Sequence, residues 1–253
     1  MYDVLLTGAT GKIGNIYLKH LLNTGYRVII TSRSKKNIDN LYGIHKRAHK
    51  DKRLLGIKLD LSEESSVESL IKFCLENDFN INHFIHTARD MTNLETKENG
   101  LQQRSNWISE LETQVLFPYE LSIKVASNSL FNLETVVLLS SIYGVVAPNT
   151  NLYENPNIES PINYSVIKAS QIHLTKVLAT RLIKHGVRVN AVSYGGLEGR
   201  TTNSFYSRYS KMNPNKKMLD YTDLIAPIKM LLSPDSKSII GQNIIVDGGW
   251  TLW

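Results

Sequence analysis

The segment that decides the fold is DVLLTGATGKIG, residues 3–14. An apolar run passes directly into a glycine-rich turn, and residues with the apolar spacing of a helix follow. Gly8, Gly11 and Gly14 let the backbone turn tightly and approach a pyrophosphate, which would face the N-terminus of the following helix. A turn that only packs the helix on the strand could carry the same glycines, but its position favours dinucleotide binding. We assign to cofactor binding these residues of the turn: Gly8, Thr10, Gly11, Lys12, Ile13 and Gly14.

The composition is typical of a globular protein that is not embedded in a membrane. Of the 253 residues, 42% are hydrophobic and 21% are charged. The net charge is +6, but the basic residues are scattered, so we expect no nucleic-acid partner. We find neither a signal peptide nor an apolar run of membrane-spanning length, so we expect a cytoplasmic protein. The single cysteine, Cys74, excludes an intrachain disulfide and a cysteine-cluster metal site.

The rest of the chain alternates short β-branched runs with longer segments of helical spacing. We predict strands at residues 2–7, 26–30, 54–59, 82–87, 134–140, 187–193 and 242–247. Strands that are apolar on both faces and separated by helices are typical of a parallel sheet covered on two sides. The sequence therefore predicts one α/β domain over residues 1–253, a doubly wound parallel sheet (Rossmann fold) of about seven strands with helices on both faces.

Two long segments interrupt this alternation, and we predict both to be substrate loops beyond the carboxyl ends of the strands. Residues 145–163 contain three prolines and five asparagines. Their polar side chains suit a hydroxyl-rich ligand: Asn149, Asn151, Tyr153 and Glu154. Residues 196–219 have Glu198 as their only acidic residue, which favours an anionic substrate about as much as a solvated lid. Their basic residues are Arg200, Arg208, Lys211, Lys216 and Lys217.

Later strand ends supply further site candidates. An acidic residue after the second strand would favour NAD, whereas Arg33 can meet a 2′-phosphate, so NADP is favoured unless Arg33 is an ordinary surface arginine. Asp60 follows the third strand, where it either lies near the adenine or caps a helix, although Ser62 is the better cap. Tyr164 and Lys168 are four residues apart, on one face of any helix that contains both.

In order along the chain, these motifs resemble the short-chain dehydrogenase/reductase family. The resemblance rests on the glycine turn, Asp60-Leu61, Ser141-x-x-Gly144, Tyr164-x-x-x-Lys168 and VNAVSYGG at 189–196, and it continues into GQNIIVDGGW at 241–250. It implies an NAD(P)-dependent oxidoreductase that forms a homodimer or homotetramer. It also implies that further residues lie at the cofactor: Asp60, Leu61, Thr87, Ala88, Tyr164, Lys168 and Gly195.

The resemblance also implies the chemistry of each catalytic residue. Tyr164 would be the general acid/base at the substrate oxygen, and Ser141 would orient that oxygen. A free phenol has a pKa of about 10, and Lys168 would favour its phenolate and bind the nicotinamide ribose. Gln114 aligns with the asparagine that completes the family's proton relay.

The sequence departs from the family pattern at four places. The glycines have the G-x-x-G-x-x-G spacing of extended members, and Gln114 replaces an asparagine. His86-Thr87-Ala88-Arg89 stands for Asn-Asn-Ala-Gly, and Tyr194-Gly195 stands for Pro-Gly. Ser141, Tyr164 and Lys168 are unaffected, so we expect an enzyme. The alternative is a binding or scaffold protein that keeps the fold and has lost turnover.

The long connection from Ser141 to Tyr164, with YGGLEG at 194–199, resembles a subgroup encoded with flagellin-modification and surface-glycan genes. This implies a sugar, sugar phosphate or nucleotide-linked sugar whose hydroxyl and carbonyl forms are interconverted. The competing enzyme is a carbonyl reductase of the 3-oxoacyl type.

Two smaller features of the sequence are a pair of histidines and a pair of tryptophans. His45 and His49 have the spacing of metal ligands on a helix, but no third ligand is near in sequence, so we expect a solvated face and no metal site. Trp250 and Trp253 are expected to pack at a subunit interface or to cap the substrate cleft.

Overall fold

The computed structural model of the chain describes residues 2–199 and 201–252, so Arg200 and Trp253 lie outside the described residues. All its strands pair in parallel in one sheet of order β3-β2-β1-β4-β5-β6-β7. The strands are β1 (Asp3–Thr7), β2 (Arg27–Ser32), β3 (Leu54–Lys58), β4 (His83–His86), β5 (Thr135–Ser141), β6 (Arg188–Tyr194) and β7 (Asn243–Val246). The predicted seven-stranded parallel sheet is confirmed.

Helices cover both faces of the sheet. They are α1 (Lys12–Asn23), α2 (Lys35–Ile44), α3 (Lys46–Lys50), α4 (Ser66–Glu76), α5 (Arg104–Leu111), α6 (Phe117–Ala126), α7 (Pro156–Glu159), α8 (Ile162–Leu182), α9 (Asn203–Met212) and α10 (Ile225–Leu232). A π-helical turn, Glu112–Leu116, joins α5 to α6. Within the described part of the chain, none of these helices has the length and apolarity needed to span a bilayer.

The buried strands supply both cores because successive side chains point to opposite faces. In β1, Val4 and Leu6 pack with α1 and α10 on one face, while Leu5 packs with α4, α6 and α8 on the other. All three side chains are fully buried. Burial of an aliphatic side chain of this size contributes about 1.5–3 kcal/mol, so the central strands anchor the carboxyl edge of the sheet.

The position of a ligand cleft follows from the strand order. From β1 the chain crosses first to β2 on one side and later continues from β4 on the other. The connections after β1 and β4 therefore diverge, which leaves a crevice at the carboxyl ends of these two strands.

The two segments predicted as loops contain helices. Residues 145–163 include α7 and the start of α8, and residues 196–219 include α9. Phe205, Tyr209 and Met212 form an apolar stripe along α9, and Thr202 caps the helix by accepting from the amide of Phe205. The many polar residues of this segment led to the prediction of a loop. The helical spacing of the three apolar residues could have predicted the helix.

Two other local predictions are wrong. Helix α4 begins at Ser66, so Ser62 is not its cap. Trp250 stacks on Tyr209 with 4.4 Å between the ring centroids and is buried inside the subunit. It therefore holds the 196–219 segment against the sheet rather than lying at an interface or over the cleft.

The histidine pair does not share a helix. His45 lies between α2 and α3, while the ring of His49 stacks on Tyr42, with 3.6 Å between centroids. Over residues 2–199 and 201–252, no group of three potential metal-ligating side chains lies close enough to hold an ion.

Candidate active site

A cavity of about 650 Å³ opens at the carboxyl edge of the sheet, between the glycine turn and the 196–219 segment. It brings together most of the predicted site residues: Gly8, Thr10, Gly11, Lys12, Ile13, Gly14, Thr87, Ser141, Tyr164, Lys168 and Gly195. The remaining predicted residues lie outside its lining: Arg33, Asp60, Leu61, Ala88 and Gln114. The distant parts of the sequence that carry the motifs thus meet in one cleft.

The glycine turn has no room for side chains. Gly8 has φ +74°, and a Cβ there would lie 2.6 Å from the amide nitrogen of Ala88. A Cβ on Gly14 would lie 2.1 Å from the carbonyl oxygen of Gly8. The first amides of an α-helix have no intrahelical acceptor, and in α1 no side chain caps them either, so they remain available to a ligand. This cradle fits the pyrophosphate of a dinucleotide.

Arg33 forms an ion pair with Asp90, beyond the end of β4. The carboxylate of Asp90 also accepts from the amide and the hydroxyl of Thr92, at 3.0 and 2.8 Å. Burial acts to raise the pKa of Asp90, but the hydrogen bonds from Arg33 and Thr92 outweigh it and lower the pKa. A 2′-phosphate would therefore have to share Arg33 with Asp90, a residue that the sequence reasoning missed.

Asp60 is engaged in a local turn. Its Oδ1 accepts from the amide and the hydroxyl of Ser62, at 3.1 and 2.8 Å. The negative charge of Asp60 also contributes to the raised pKa of Arg33, after the hydrogen bond and the charge of Asp90.

Ser141 ends β5 and has its hydroxyl hydrogen free for a ligand. Its Oγ accepts from the amide of Tyr143 at 3.2 Å, which leaves the O–H to donate. The turn that follows lies against α8, because a Cβ on Gly144 would lie 2.6 Å from the carbonyl carbon of Lys168. The Ser-x-x-Gly motif therefore sets the spacing between Ser141 and the helix that carries Tyr164.

The ammonium of Lys168 is fully engaged by protein acceptors. It donates to the carbonyl oxygen of Leu139 at 2.6 Å, to Oε1 of Gln171 at 2.8 Å and to Oε1 of Gln114 at 3.1 Å. Burial first, and then the charge of Arg89, lower the pKa of Lys168, while Glu110 opposes them. The sequence reasoning missed Gln171, although it stands three residues after Lys168, on the same helix face.

Gln114 is placed by the π-helical turn between α5 and α6. Such turns insert an extra residue and are frequent at functional sites. Gln114 is buried, its Nε2 donates to the carbonyl oxygen of Ala88, and its Oε1 accepts from Lys168. It therefore links the end of β4 to α8, behind the cavity rather than in its lining.

Two further residues that depart from the family pattern, Arg89 and Tyr194, make well-defined contacts. The guanidinium carbon of Arg89 lies 3.9 Å from the ring centroid of Tyr164, and its Nε lies 3.4 Å from Oε2 of the fully buried Glu110. Tyr194 accepts from the hydroxyl of Tyr17 and donates to the carbonyl oxygen of Leu224, both at 2.8 Å. Tyr194 thus holds β6 to α1, whereas Arg89 lies at the candidate catalytic tyrosine.

His86 is buried behind the cleft. Its Nδ1 lies 2.9 Å from the hydroxyl of Thr7, with which it shares a hydrogen bond. Burial first, and then the positive charge of Lys168, lower the pKa of His86 to about 3. The ring is therefore neutral and structural.

The basic residues of the 196–219 segment that the structure describes do not line the cavity. Arg208 donates to the carbonyl oxygen of Leu152 and pairs with Glu154, so it holds the 145–163 and 196–219 segments together. The other described cations of the 196–219 segment do not line the cavity: Lys211, Lys216 and Lys217. Lys12 and Arg89 line it instead, and Lys12 donates to the carbonyl oxygen of Gly199 at 2.7 Å.

Known proteins resemble this chain along nearly its whole length. The profile of a family described as Enoyl-(Acyl carrier protein) reductase matches residues 8–251. The post-translational flagellin modification protein A of Campylobacter coli is 30% identical over 254 residues, 98% of each chain. A 3-oxoacyl-acyl-carrier-protein reductase of Staphylococcus epidermidis is 25% identical over 98% of each chain. A solved 4-hydroxyisoleucine dehydrogenase complexed with NADH superposes with a TM-score of 0.84 at 21% identity, over 100% of both chains. Other solved structures that align along nearly the whole chain hold NAD+ or NADP.

Proposed function

Since the chain belongs to the short-chain dehydrogenase/reductase family, we propose that it interconverts a hydroxyl and a carbonyl group on a sugar, a sugar phosphate or a nucleotide-linked sugar. The resemblance seen in its motifs is confirmed, and the chain is an NAD(P)-dependent oxidoreductase of that family. The observation that carries the proposal is the meeting of Ser141, Tyr164 and the glycine cradle in one cavity.

The chain's own residues divide the work around the substrate oxygen. A dinucleotide held at the cradle of Gly8, Gly11 and Gly14 would supply or accept the hydride through its nicotinamide. The free O–H of Ser141 donates to the substrate oxygen and orients it, and Tyr164 gives or takes the proton at the same atom. Lys168, Gln114 and Gln171 form the buried hydrogen-bonded group that fixes this end of α8.

NADP is the cofactor we propose as preferred, and Arg33 is the reason. Its guanidinium is more than half exposed at the end of β2, where a 2′-phosphate can reach it. Asp90 opposes this preference, because it already neutralises Arg33. The preference over NAD is therefore moderate, and both cofactors support turnover.

A carbohydrate-type substrate is supported by the aromatic side chains that line the cavity. The hydroxyl of Tyr153 donates to that of Tyr143 at 2.7 Å, and Phe205 presents an aromatic face beside them. Aromatic faces and phenolic hydroxyls suit a sugar ring. Lys12 and Arg89 supply positive charge for an anionic group.

We also propose a homodimer or homotetramer. An apolar patch on α5, the π-helical turn and α8 is exposed in the single chain: Ile108 at 47%, Leu111 at 41%, Leu116 at 41% and Val166 at 46%. The three elements that carry these side chains pack against one another, and large apolar side chains exposed on neighbouring elements are typical of an interaction surface. A second copy of the chain would bury it.

The experiment that tests the function follows the loss of NADPH or NADH fluorescence. The purified protein is offered keto forms of sugar phosphates and nucleotide sugars beside 3-oxoacyl thioesters. We expect turnover with at least one keto sugar. Activity confined to acyl thioesters would transfer the assignment to the 3-oxoacyl reductase class, which the relative from Staphylococcus epidermidis favours. No consumption of either cofactor with any sugar or small ketone would overturn the proposal.

A further inference from the structure

The turn that carries Ser141 presents a second hydroxyl group to the cavity, that of Tyr143. Tyr143 stands two residues after Ser141, and its amide donates to Ser141 Oγ at 3.2 Å. Its ring meets the ring of Tyr164 edge-on, with 6.2 Å between the centroids. All three side chains line the cavity. Tyr143 is therefore a close neighbour of both residues that we place at the reacting oxygen of the substrate.

Tyr153 fixes the direction of the Tyr143 hydroxyl. The O–H of Tyr153 donates to the phenol oxygen of Tyr143 at 2.7 Å. A phenol has one hydrogen to donate, so Tyr143 accepts from Tyr153 and keeps its own hydrogen for a ligand. Tyr153 is held in turn by Phe205, with 5.2 Å between the ring centroids. The O–H of Tyr143 is thus an oriented donor rather than a freely rotating one.

The phenol of Tyr143 stays protonated in this environment. Burial, and next the neighbouring phenol of Tyr153, raise the pKa of Tyr143 well above its usual value. A general acid/base must exchange its proton near the working pH, and a phenol with a raised pKa does this poorly. Tyr143 is therefore suited to holding an oxygen by a hydrogen bond and not to moving a proton.

Other polar side chains of the cavity lining already donate to the protein. Lys12, Lys168 and Tyr194 each donate to a carbonyl oxygen of the chain. Tyr143, in contrast, uses its oxygen as an acceptor, so its hydrogen is the one left for a ligand. The same is true of Ser141, which accepts from an amide and has its O–H free.

We propose that Tyr143 determines specificity by donating its O–H to a second oxygen of the substrate, close to the carbon that reacts. Ser141 and Tyr164 are assigned to the reacting oxygen, so a further donor beside them meets a different acceptor. The class of substrate is then a hydroxy ketone, with its hydroxyl group on the carbon next to the carbonyl, and the corresponding diol. This inference rests on the proposed function for the roles of Ser141 and Tyr164, and it narrows the substrate to that class.

The test compares the reduction of hydroxyacetone with that of butanone, in which a methyl group replaces the hydroxyl group. The ratio of the two kcat/KM values is measured for the unaltered protein and for Tyr143→Phe. Phenylalanine keeps the ring against Tyr164 and removes only the donor. We expect the ratio to fall about tenfold in Tyr143→Phe, the worth of one hydrogen bond, with the value for butanone changed by less than about twofold. Equal losses for both ketones, or an unchanged ratio, overturn the inference.

Two further variants make the comparison specific. Tyr153→Phe keeps the hydroxyl group of Tyr143 but removes the donor that orients it, so the ratio should fall by less, about threefold. The hydroxyl group of Tyr206 donates to Glu198 at 3.3 Å, outside the cavity lining, so Tyr206→Phe should leave the ratio unchanged. A fall of equal size in Tyr206→Phe overturns the inference. If Tyr143→Phe does not fold, an unchanged ratio in Tyr153→Phe overturns it.

The small ketones separate this inference from the choice of a sugar substrate. A ratio that falls in Tyr143→Phe, in a protein that turns over no sugar, supports the role of Tyr143 and removes the sugar assignment. Turnover of a keto sugar with an unchanged ratio leaves the proposed function standing and removes the role of Tyr143. Where the small ketones are not reduced, the same ratio is taken from the best keto sugar and its analogue without the hydroxyl group next to the carbonyl.

Discussion

At the scale of single residues, the cofactor preference that we propose depends on Arg33 and on the negative group with which it pairs. In the chain alone that group is Asp90. A 2′-phosphate carries more negative charge than a carboxylate and would compete for the same guanidinium, while Asp90 would repel it. Two neighbouring residues therefore act against each other.

We predict that Asp90→Asn increases the affinity for NADPH about tenfold relative to that for NADH, a difference of about 1.4 kcal/mol. The amide keeps the local turn with Thr92 and removes the competing charge. Fluorescence titration with both cofactors measures the ratio. Asp39→Asn is the matched control, because Asp39 pairs with Lys35 on exposed α2. An unchanged ratio in Asp90→Asn would show that Arg33 does not meet the phosphate.

The buried His86 makes the stability of the folded protein depend on pH. An unfolded histidine has a pKa of about 6.5, whereas that of His86 is lowered to about 3 by burial and by Lys168. Between these values the unfolded chain binds a proton that folded His86 does not. Its contribution to stability is therefore complete above about pH 6.5 and is lost as the pH falls toward 3, by up to about 1.4 kcal/mol per unit.

We predict that His86→Asn removes this part of the slope of unfolding free energy against pH. Urea unfolding at several pH values between about 4.5 and 7 measures it. His185→Asn changes an exposed histidine and should leave the slope as in the unaltered protein. The same slope in His86→Asn would contradict the neutral, buried histidine.

At the scale of elements, the turn after β5 and helix α8 form one unit. A Cβ on Gly144 would lie 2.6 Å from the backbone of Lys168, and backbone cannot move aside as a flexible side chain can. The Oγ of Ser140 also donates to the carbonyl oxygen of Lys168 at 2.8 Å. The distance between Ser141 and Tyr164 is therefore fixed by backbone packing.

We predict that Gly144→Ala destabilises the protein by about 2 kcal/mol, because the turn must shift away from α8. Turnover should fall as well, since Ser141 moves with the turn. Gly43→Ala is the control: Gly43 lies in α2 with no atom near the added methyl group, so a gain of about 0.5–1 kcal/mol is expected. Denaturant midpoints measure both, and equal effects would argue against the close contact.

The elements that the sequence predicted are those with a strong local pattern. The strands are continuous apolar runs, and β1 with its glycine turn is recognisable because the turn permits no side chains. Helix α9 was not predicted because its apolar residues are separated by many polar ones. The Arg33–Asp90 and Arg89–Glu110 ion pairs were not predicted for another reason. Each joins residues that lie far apart in sequence or in different elements, and no local sequence pattern indicates such a contact.

At the scale of the whole molecule, the exposed apolar patch on α5 and α8 is the proposed contact between subunits. We predict that Ile108→Asp shifts the protein to a monomer, because the charge would be buried without a partner in the assembly. Sedimentation equilibrium measures the mass. Ile44→Asp alters an isoleucine that is 68% exposed on α2 and should leave the assembly intact. An unaltered mass for Ile108→Asp would place the interface elsewhere.

The sequence predicted the architecture of the whole molecule best, and it predicted the detailed contacts of the site least well. The order of the motifs placed Ser141, Tyr164, Lys168 and the glycine turn at one edge of a parallel sheet, where the structure brings them together. The residues that depart from the family pattern could be identified from the sequence, but their structural roles could not be predicted from it. Tyr194 proved to be a structural link, whereas Arg89 lies against Tyr164, the candidate catalytic tyrosine, and this distinction depends on packing.

The most direct test of the central claim compares NADPH oxidation by the protein and by Tyr164→Phe with the best keto sugar found. The substitution removes one hydroxyl from the cavity and nothing from the glycine cradle. We predict an affinity for NADPH within about twofold of the unaltered protein and a kcat lower by about 100-fold or more, because the proton donor is gone. Undiminished turnover by Tyr164→Phe, at equal cofactor affinity, would contradict the account.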